Sequence, residues 1–200
     1  MKIVLATKNP SKVVQIKALF ADMDIKVISL IDAEIEEDAV EDGVTLEENT
    51  LKKILFAKRY FGNVWYMADD TGLFIDILDE QPGIHAARWA GKNKSTEEIR
   101  DFTLDKLGGV PLEKRTARFK TVAVVMSPQG KVEMFEGVVE GKLLTEPRCE
   151  CQKGMPYSSL FVPEGSEKVW AEMGTEEENL ISHRGKAFGQ VRSFFEKLLV

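Results

Sequence analysis

The chain begins with an apolar run, Ile3-Val4-Leu5-Ala6, which breaks at the polar cluster Thr7-Lys8-Asn9-Pro10-Ser11. This predicts a short buried strand over 2–6, a turn, and a helix over about 11–20 with Val13, Ile16 and Phe20 on one face. A second strand is predicted at 26–30. Thr45-Leu46-Glu47-Glu48 reads as a capping box opening a helix to about Phe61, with Leu51, Ile54, Leu55 and Lys58 at helical spacing. A buried strand over 63–68 is expected to end at Asp69-Asp70-Thr71-Gly72, with a less regular strand over 73–78 and a turn at Gln81-Pro82-Gly83.

Ser95-Thr96-Glu97-Glu98 is a second capping box, for a helix that Gly108-Gly109 stops. Residues 117–126 and 131–141 flank a Ser127–Gly130 turn and predict a long hairpin. Residues 142–181 read as irregular. Ser182 is expected to cap a final helix whose Ala187, Phe188, Val191, Phe194, Phe195 and Leu198 face the core. The fold class is therefore α/β, over one domain spanning 1–200, and its first strand–turn–helix places polar residues where open α/β sheets bind ligands.

Composition narrows the function. Lys and Arg total 27 against 33 Asp and Glu, a formal charge of −6. That balance argues against a surface for polymeric nucleic acid or a polybasic membrane binder, but leaves a small anion open. No run approaches a membrane helix and nothing reads as a targeting segment. Two cysteines, Cys149 and Cys151, suit reduced thiols in a cytoplasmic location, with zinc a lesser reading.

Four clusters carry candidate chemistry. Thr7, Lys8, Asn9 and Lys12 at a helix start can cradle an anion, or simply cap a helix with surface lysines. Asp69 and Asp70 at a strand end repel each other unless a cation or donor holds them. This suits a Mg²⁺ site or, equally, an Asp-rich turn. An acidic stretch from Asp32 runs to Glu41-Asp42-Gly43 with Lys53 beyond. A member of it can join a metal shell, while Asp32 to Asp38 read as a solvated face. Ser182-His183-Arg184 suits a phosphate or a purine carbonyl, or a packed histidine. Trp65, Trp89 and Trp170 read as core or rim.

These pieces resemble, in order and spacing, the inosine triphosphate pyrophosphatase family. The matching segments are ATKNPSK (6–12), EDGVTLEENTLKK (41–53), ADDTGL (68–73), PGIHAARWAG (82–91), EGKLLTEPR (140–148), AEM (171–173) and NLISHRGKAF (179–188). The resemblance implies an elongated mixed sheet flanked by helices, with two lobes around a nucleotide cleft. It also implies a homodimer and Mg²⁺-dependent hydrolysis of ITP, dITP and XTP to monophosphate and pyrophosphate. By this resemblance Thr7, Lys8, Asn9, Lys12 and Lys53 reach the triphosphate. Glu41 and Asp70 hold Mg²⁺, Asp70 also accepts a proton, and Asp69, Thr71 and Gly72 complete its loop. Asp69 is expected to assist Asp70 in deprotonating the attacking water. Arg88 sits in the segment lining the cleft and is a substrate-binding candidate, and His183 and Arg184 contact the base.

One region departs from the family. Where members read roughly G-F-G-Y-D-P-I-F, this chain has Gly154-Met155-Pro156-Tyr157-Ser158-Ser159-Leu160-Phe161. Met155 replaces the stacking aromatic, Ser158 replaces a carboxylate, and Tyr157 is the ring available to compensate. Glu178 stands where the family has Lys. The phosphate and metal half is kept and the base half rewritten, which implies altered base preference before altered chemistry. Two alternatives stay open: the same chemistry on another nucleotide, and a non-catalytic nucleotide binder.

Overall fold

A computed structural model describes residues 1–199. Its centre is a mixed sheet with strand order β2-β1-β3-β5-β6-β7, and the short β4 on β3 as a seventh strand. β1 (Lys2–Leu5) is parallel to β2 (Lys26–Ser29) and to β3 (Trp65–Ile75). β4 (Pro82–Gly83), β5 (Thr116–Met126), β6 (Val132–Leu143) and β7 (Phe161–Pro163) add antiparallel pairs. The helices are α1 (Pro10–Leu19), α2 (Leu46–Phe61), α3 (Thr96–Lys106), α4 (Thr175–Ile181) and α5 (His183–Leu199). The α/β class expected from the pattern holds.

Alternation along β3 sorts the core. Met67 packs with Ile3, Leu5, Val13, Ile16, Ala187, Phe188 and Phe195, on the face covered by α1 and α5. Its neighbours Tyr66 and Ala68 pack with Val4, Ile54 and Ala57, on the face covered by α2. Further along, Leu73 and Ile75 join Ala117, Phe119, Val139, Tyr157, Phe161 and Trp170 in a third cluster around the far half of the hairpin. Gly137 lets α5 start against β6, since a Cβ there would lie 2.0 Å from the His183 carbonyl.

Several local expectations are corrected. β3 does not end at Asp69 but runs unbroken through Asp69-Asp70-Thr71-Gly72 to Ile75, because β5 pairs with it residue for residue from Tyr66 to Ile75. The strand expected over 73–78 is therefore the end of β3 followed by a 3-10 turn at Asp76–Leu78. The Thr45 box is half-formed. Thr45 accepts from the Glu48 N–H, but the Glu48 carboxylate takes the Val44 N–H instead. The Ser95–Glu98 box is reciprocal as read.

On α2, Leu55 is exposed and the inner face carries Asn49, Thr50 and Lys53 beside Ile54 and Ala57, so apolar spacing alone misplaced part of it. Leu198 is likewise exposed, past the point where α5 leaves the sheet. The region expected to be irregular holds β7 and α4. Both are short, and α4 packs a single buried glutamate rather than an apolar stripe.

Candidate active site

The site follows from a gap in the sheet. On one edge of β3, β1 pairs over Trp65–Met67 and β4 over Leu73–Phe74. Between these pairings lies Ala68–Gly72, and a cleft of about 380 Å³ opens there at the carboxyl end of β1. Because strand side chains alternate, Asp69 falls on the α1/α5 face and Asp70 on the α2 face.

Asp69 is sealed in. Its Oδ2 accepts from Lys12 Nζ at 2.7 Å, from Arg184 Nε at 3.2 Å and from Thr71 Oγ1 at 3.4 Å. Burial alone would push this carboxyl up, but Lys12, Arg184 and Lys53 outweigh burial and hold it well below the usual carboxylate range. Burial also lowers the Lys12 ammonium, with Lys53 and Arg184 adding to the effect against the pull of Asp69. The Oδ1 of Asp69 is buried without a protein partner. Asp69 was expected to assist beside Asp70; it lies instead beneath the cleft floor, holding Lys12 and Arg184 in place. Gly72 is buried within β3 rather than forming a loop.

Asp70 lines the cleft. Its Oδ1 accepts from Lys53 Nζ at 2.7 Å, and its Oδ2 accepts from Asn49 Nδ2 at 3.3 Å. Lys53 Nζ also lies 3.3 Å from Glu41 Oε2. Burial would lower this ammonium, but Asp70, Glu41 and Asp69 raise it. Two carboxylates thus converge on one cationic centre. Mg²⁺ takes one or two carboxylates and fills its remaining positions with water and phosphate oxygens, so the donor set of Asp70 and Glu41 fits it. Among the described residues no group of three His, Cys, Asp or Glu gathers to form a richer cage.

The sequence reading missed Asn49. It is fully buried, and its Oδ1 accepts the Gly43 N–H at 2.8 Å while its Nδ2 reaches Asp70. Asn49 therefore couples the acidic loop to the strand carboxylate. A Cβ on Gly43 would meet Asn49 Oδ1 at 2.7 Å, so this position requires glycine. Gln15 was missed too. Buried on α1, it accepts from Arg184 Nη1 at 2.7 Å and donates to Ser182 Oγ at 3.1 Å. A polar residue on the inward face of a predicted helix was the available signal for both.

Thr7, Lys8, Asn9 and Lys12 line the other bank. Of the two readings of this helix start, the capped helix is the one formed: Asn9 Oδ1 accepts from the Ser11 and Lys12 N–H groups at 3.0 and 3.3 Å. Asn9 Nδ2 donates to the Gly154 carbonyl, and Ser11 Oγ to that of Lys153, so this turn anchors the 152–158 loop. Lys8 pairs with Asp38 at 2.7 Å. Glu37 and Asp38 line the cleft, so part of the stretch read as a solvated face belongs to the site. The segment holding Arg88 lines the cleft through Ala86 and Ala87, with Arg88 itself set behind it. Arg88 donates to the Glu41 carbonyl at 3.0 Å and backs the Glu41 carboxylate at 4.0 Å.

The remaining wall holds Phe119, Met155, Pro156, Tyr157, Ser158, Trp170, Glu178, His183 and Arg184. His183 stacks on Phe119, with centroids 4.8 Å apart and planes 16° apart. Burial, reinforced by Arg184, keeps its imidazole neutral, well below the usual value. Tyr157 is a core ring whose hydroxyl donates to the Ala86 carbonyl. Ser158 Oγ is spent within its own loop, accepting from the Gln152 N–H and donating to the Met155 carbonyl. Ser182 Oγ accepts from the Gly185 N–H at 2.9 Å and so caps α5 as read. Cys151 Sγ lies 3.1 Å from Ser159 Oγ, and both cysteines are free thiols. No described helix is long and apolar enough to cross a membrane.

Comparison with known proteins extends over the whole chain. The chain is 41% identical over 199 residues to a protein of Thermoanaerobacter pseudethanolicus named dITP/XTP pyrophosphatase, covering 100% of this chain and 98% of that one. A dITP/XTP pyrophosphatase of Leuconostoc mesenteroides is 37% identical over 193 residues, covering 96% and 94%. The solved Ham1 protein of Coxiella burnetii superposes with a TM-score of 0.83 at 32% identity, over 98% of this chain and 99% of that one. The Staphylococcus aureus Ham1 protein does so at 0.81 and 32%, with the same coverage. The sequence model of the Ham1 family matches residues 3–194. With sequence and fold in agreement from end to end, the chain belongs to the Ham1 family.

Proposed function

We propose that this protein hydrolyses non-standard purine nucleoside triphosphates, dITP, XTP and ITP among them, to the nucleoside monophosphate and pyrophosphate, with Mg²⁺ as cofactor. The observation that carries the reading is the convergence of Asp70 and Glu41 on Lys53, at one end of a cleft whose other end is aromatic. The names of the full-length relatives point to the same reaction.

Asp70 and Glu41 would hold the Mg²⁺, which when bound supplies charge neutralisation for the triphosphate. Lys12 and Lys53 donate to phosphate oxygens. Their charge is fixed in place beforehand by Asp69, Asp70 and Glu41, so little reorganisation accompanies the reaction. Asp70 accepts the proton of a water whose oxygen bonds to the α-phosphorus as the bond from that phosphorus to the pyrophosphate oxygen breaks. Arg88 and Asn49 keep Glu41 and Asp70 aimed at the same point. Homodimer formation and cytoplasmic pool cleansing belong to this reading.

A Mg²⁺-dependent assay over deaminated and standard triphosphates, resolving pyrophosphate from orthophosphate, tests it. Pyrophosphate from ITP, dITP and XTP with ATP spared supports the proposal. Orthophosphate release rejects attack at the α-phosphorus, and binding without turnover rejects catalysis.

A further inference from the structure

Three lysines line the cleft, and their carboxylate partners are held very differently. Lys12 pairs with Asp69, whose side chain is 0% exposed. Lys53 pairs with Asp70 and Glu41, at 10% and 36%. Lys8 pairs with Asp38, whose side chain is 83% exposed. Asp69 and Asp70 belong to β3, so they leave their lysines only if the strand moves. Asp38 belongs to 36–42, a stretch without helix or strand.

Among the described residues, no hydrogen bond between main-chain groups involves 36–42. Its far end is fixed, because Arg88 donates to the Glu41 carbonyl and Asn49 accepts from the Gly43 N–H. Its near end follows Ile35, which donates to the Leu30 carbonyl. Between them Lys8 is the bracket. Its Nζ donates to the Glu36 carbonyl at 2.5 Å and lies 2.7 Å from Asp38 Oδ1. Glu37 and Asp38 line the cleft, so this bracket joins the Thr7–Lys12 bank to the acidic bank.

An exposed ion pair is weak by itself. A triphosphate chain offers Lys8 more negative charge than one carboxylate does, and Asp38 can turn to water at little cost. The same exchange at Lys12 or Lys53 would strand a buried carboxylate.

Resting on the function proposed above, which puts a triphosphate in this cleft, we propose that Asp38 is an autoinhibitory carboxylate. It occupies Lys8 in the ligand-free protein, is displaced by the triphosphate, and reclaims Lys8 as pyrophosphate leaves. The pair thus raises KM and favours release of the anionic product, while Arg88 and Asn49 keep Glu41 in place.

The test is a double-mutant cycle on the full chain: wild type, Asp38→Asn, Lys8→Met and the two together. The probe is inorganic tripolyphosphate with Mg²⁺, its binding read by calorimetry, with KM for ITP and inhibition by pyrophosphate read alongside. Asp38→Asn should tighten both anions and lower KM by about 3- to 5-fold, the reach of an exposed pair, without raising kcat. Lys8→Met should weaken binding, and adding Asp38→Asn to it should change binding by less than about 2-fold. Equal tightening in both backgrounds would assign Asp38 to general repulsion of anions and overturn the inference. Unchanged or weaker binding in Asp38→Asn overturns it, as does tripolyphosphate binding to neither protein. If ITP is not cleaved but tripolyphosphate binding follows the cycle, the proposed reaction fails and this inference stands.

Discussion

Asp69 and Asp70 are adjacent in the chain and serve opposite faces of one strand. Asp69 holds Lys12 and Arg184 from the α1/α5 side, and Asp70 holds Lys53 and Asn49 from the α2 side. The pair does not share a cation, because the period-2 geometry of β3 points its two carboxylates apart. Each therefore supports a different prediction from the other.

Replacing Asp70 by Asn removes the proposed proton acceptor and one of the two carboxylates facing Lys53. Pyrophosphate release should fall by about 10³-fold or more, while circular dichroism and thermal unfolding stay close to wild type. Turnover within a few-fold of wild type would remove Asp70 from the mechanism.

Asp69→Asn should act through stability instead. It strands two buried cations, Lys12 and Arg184, whose side chains are 13% and 4% exposed. Removing one partner of a buried pair costs about 3–5 kcal/mol. Denaturant titration should show the midpoint moving down without a change in the slope.

Asn49→Ala leaves every charge in place but frees Asp70 Oδ2 and the Gly43 N–H. Loss of such an orienting partner typically costs about 10–100-fold in metal affinity or activity. A kinetic titration with Mg²⁺ should find the loss, and wild-type kinetics would show that the acidic loop positions itself.

His183 predicts a pH effect on stability. Its folded value is depressed by burial and by Arg184, with Asp69 pulling the other way and Lys12 and Lys186 adding to the depression. The unfolded chain takes up the proton near the ordinary histidine value of about 6.5. The contribution of neutral His183 is therefore complete above that pH and is lost as pH falls below it, with a slope approaching about 1.4 kcal/mol per pH unit. His183→Phe keeps a ring on Phe119 and should flatten the difference in unfolding free energy between pH 7 and 5 relative to wild type. Parallel curves would refute it.

Arg115 tests the far half of the molecule. It is 4% exposed, and its guanidinium donates to the Val110, Leu144 and Leu107 carbonyls. Arg115→Met would orphan these acceptors and lower stability by about 3 kcal/mol. Activity per folded molecule should persist, because Arg115 does not line the cleft.

Much of this architecture is written locally. The Asn9-Pro10 and Ser95–Glu98 helix starts, the long hairpin and the Ser182 cap depend on residues within a few positions of one another, so they are legible in the sequence. So are Lys12, Lys53, Asp70 and Glu41 as charged residues beside predicted strand and helix ends. Other features are not local. Ladder pairing with β5 carries β3 through a segment that reads as a turn, and the early end of β1 opens the cleft beside it. Asn49 and Gln15 become meaningful only when helices from distant parts of the chain dock on the sheet. By itself the sequence determined which groups carry charge and which segments pair or coil. The tertiary structure decided which carboxylate lines the cleft and which is buried as scaffold, because strand register and the docking of α1, α2 and α5 set each side chain's face, and neither can be read from neighbours along the chain.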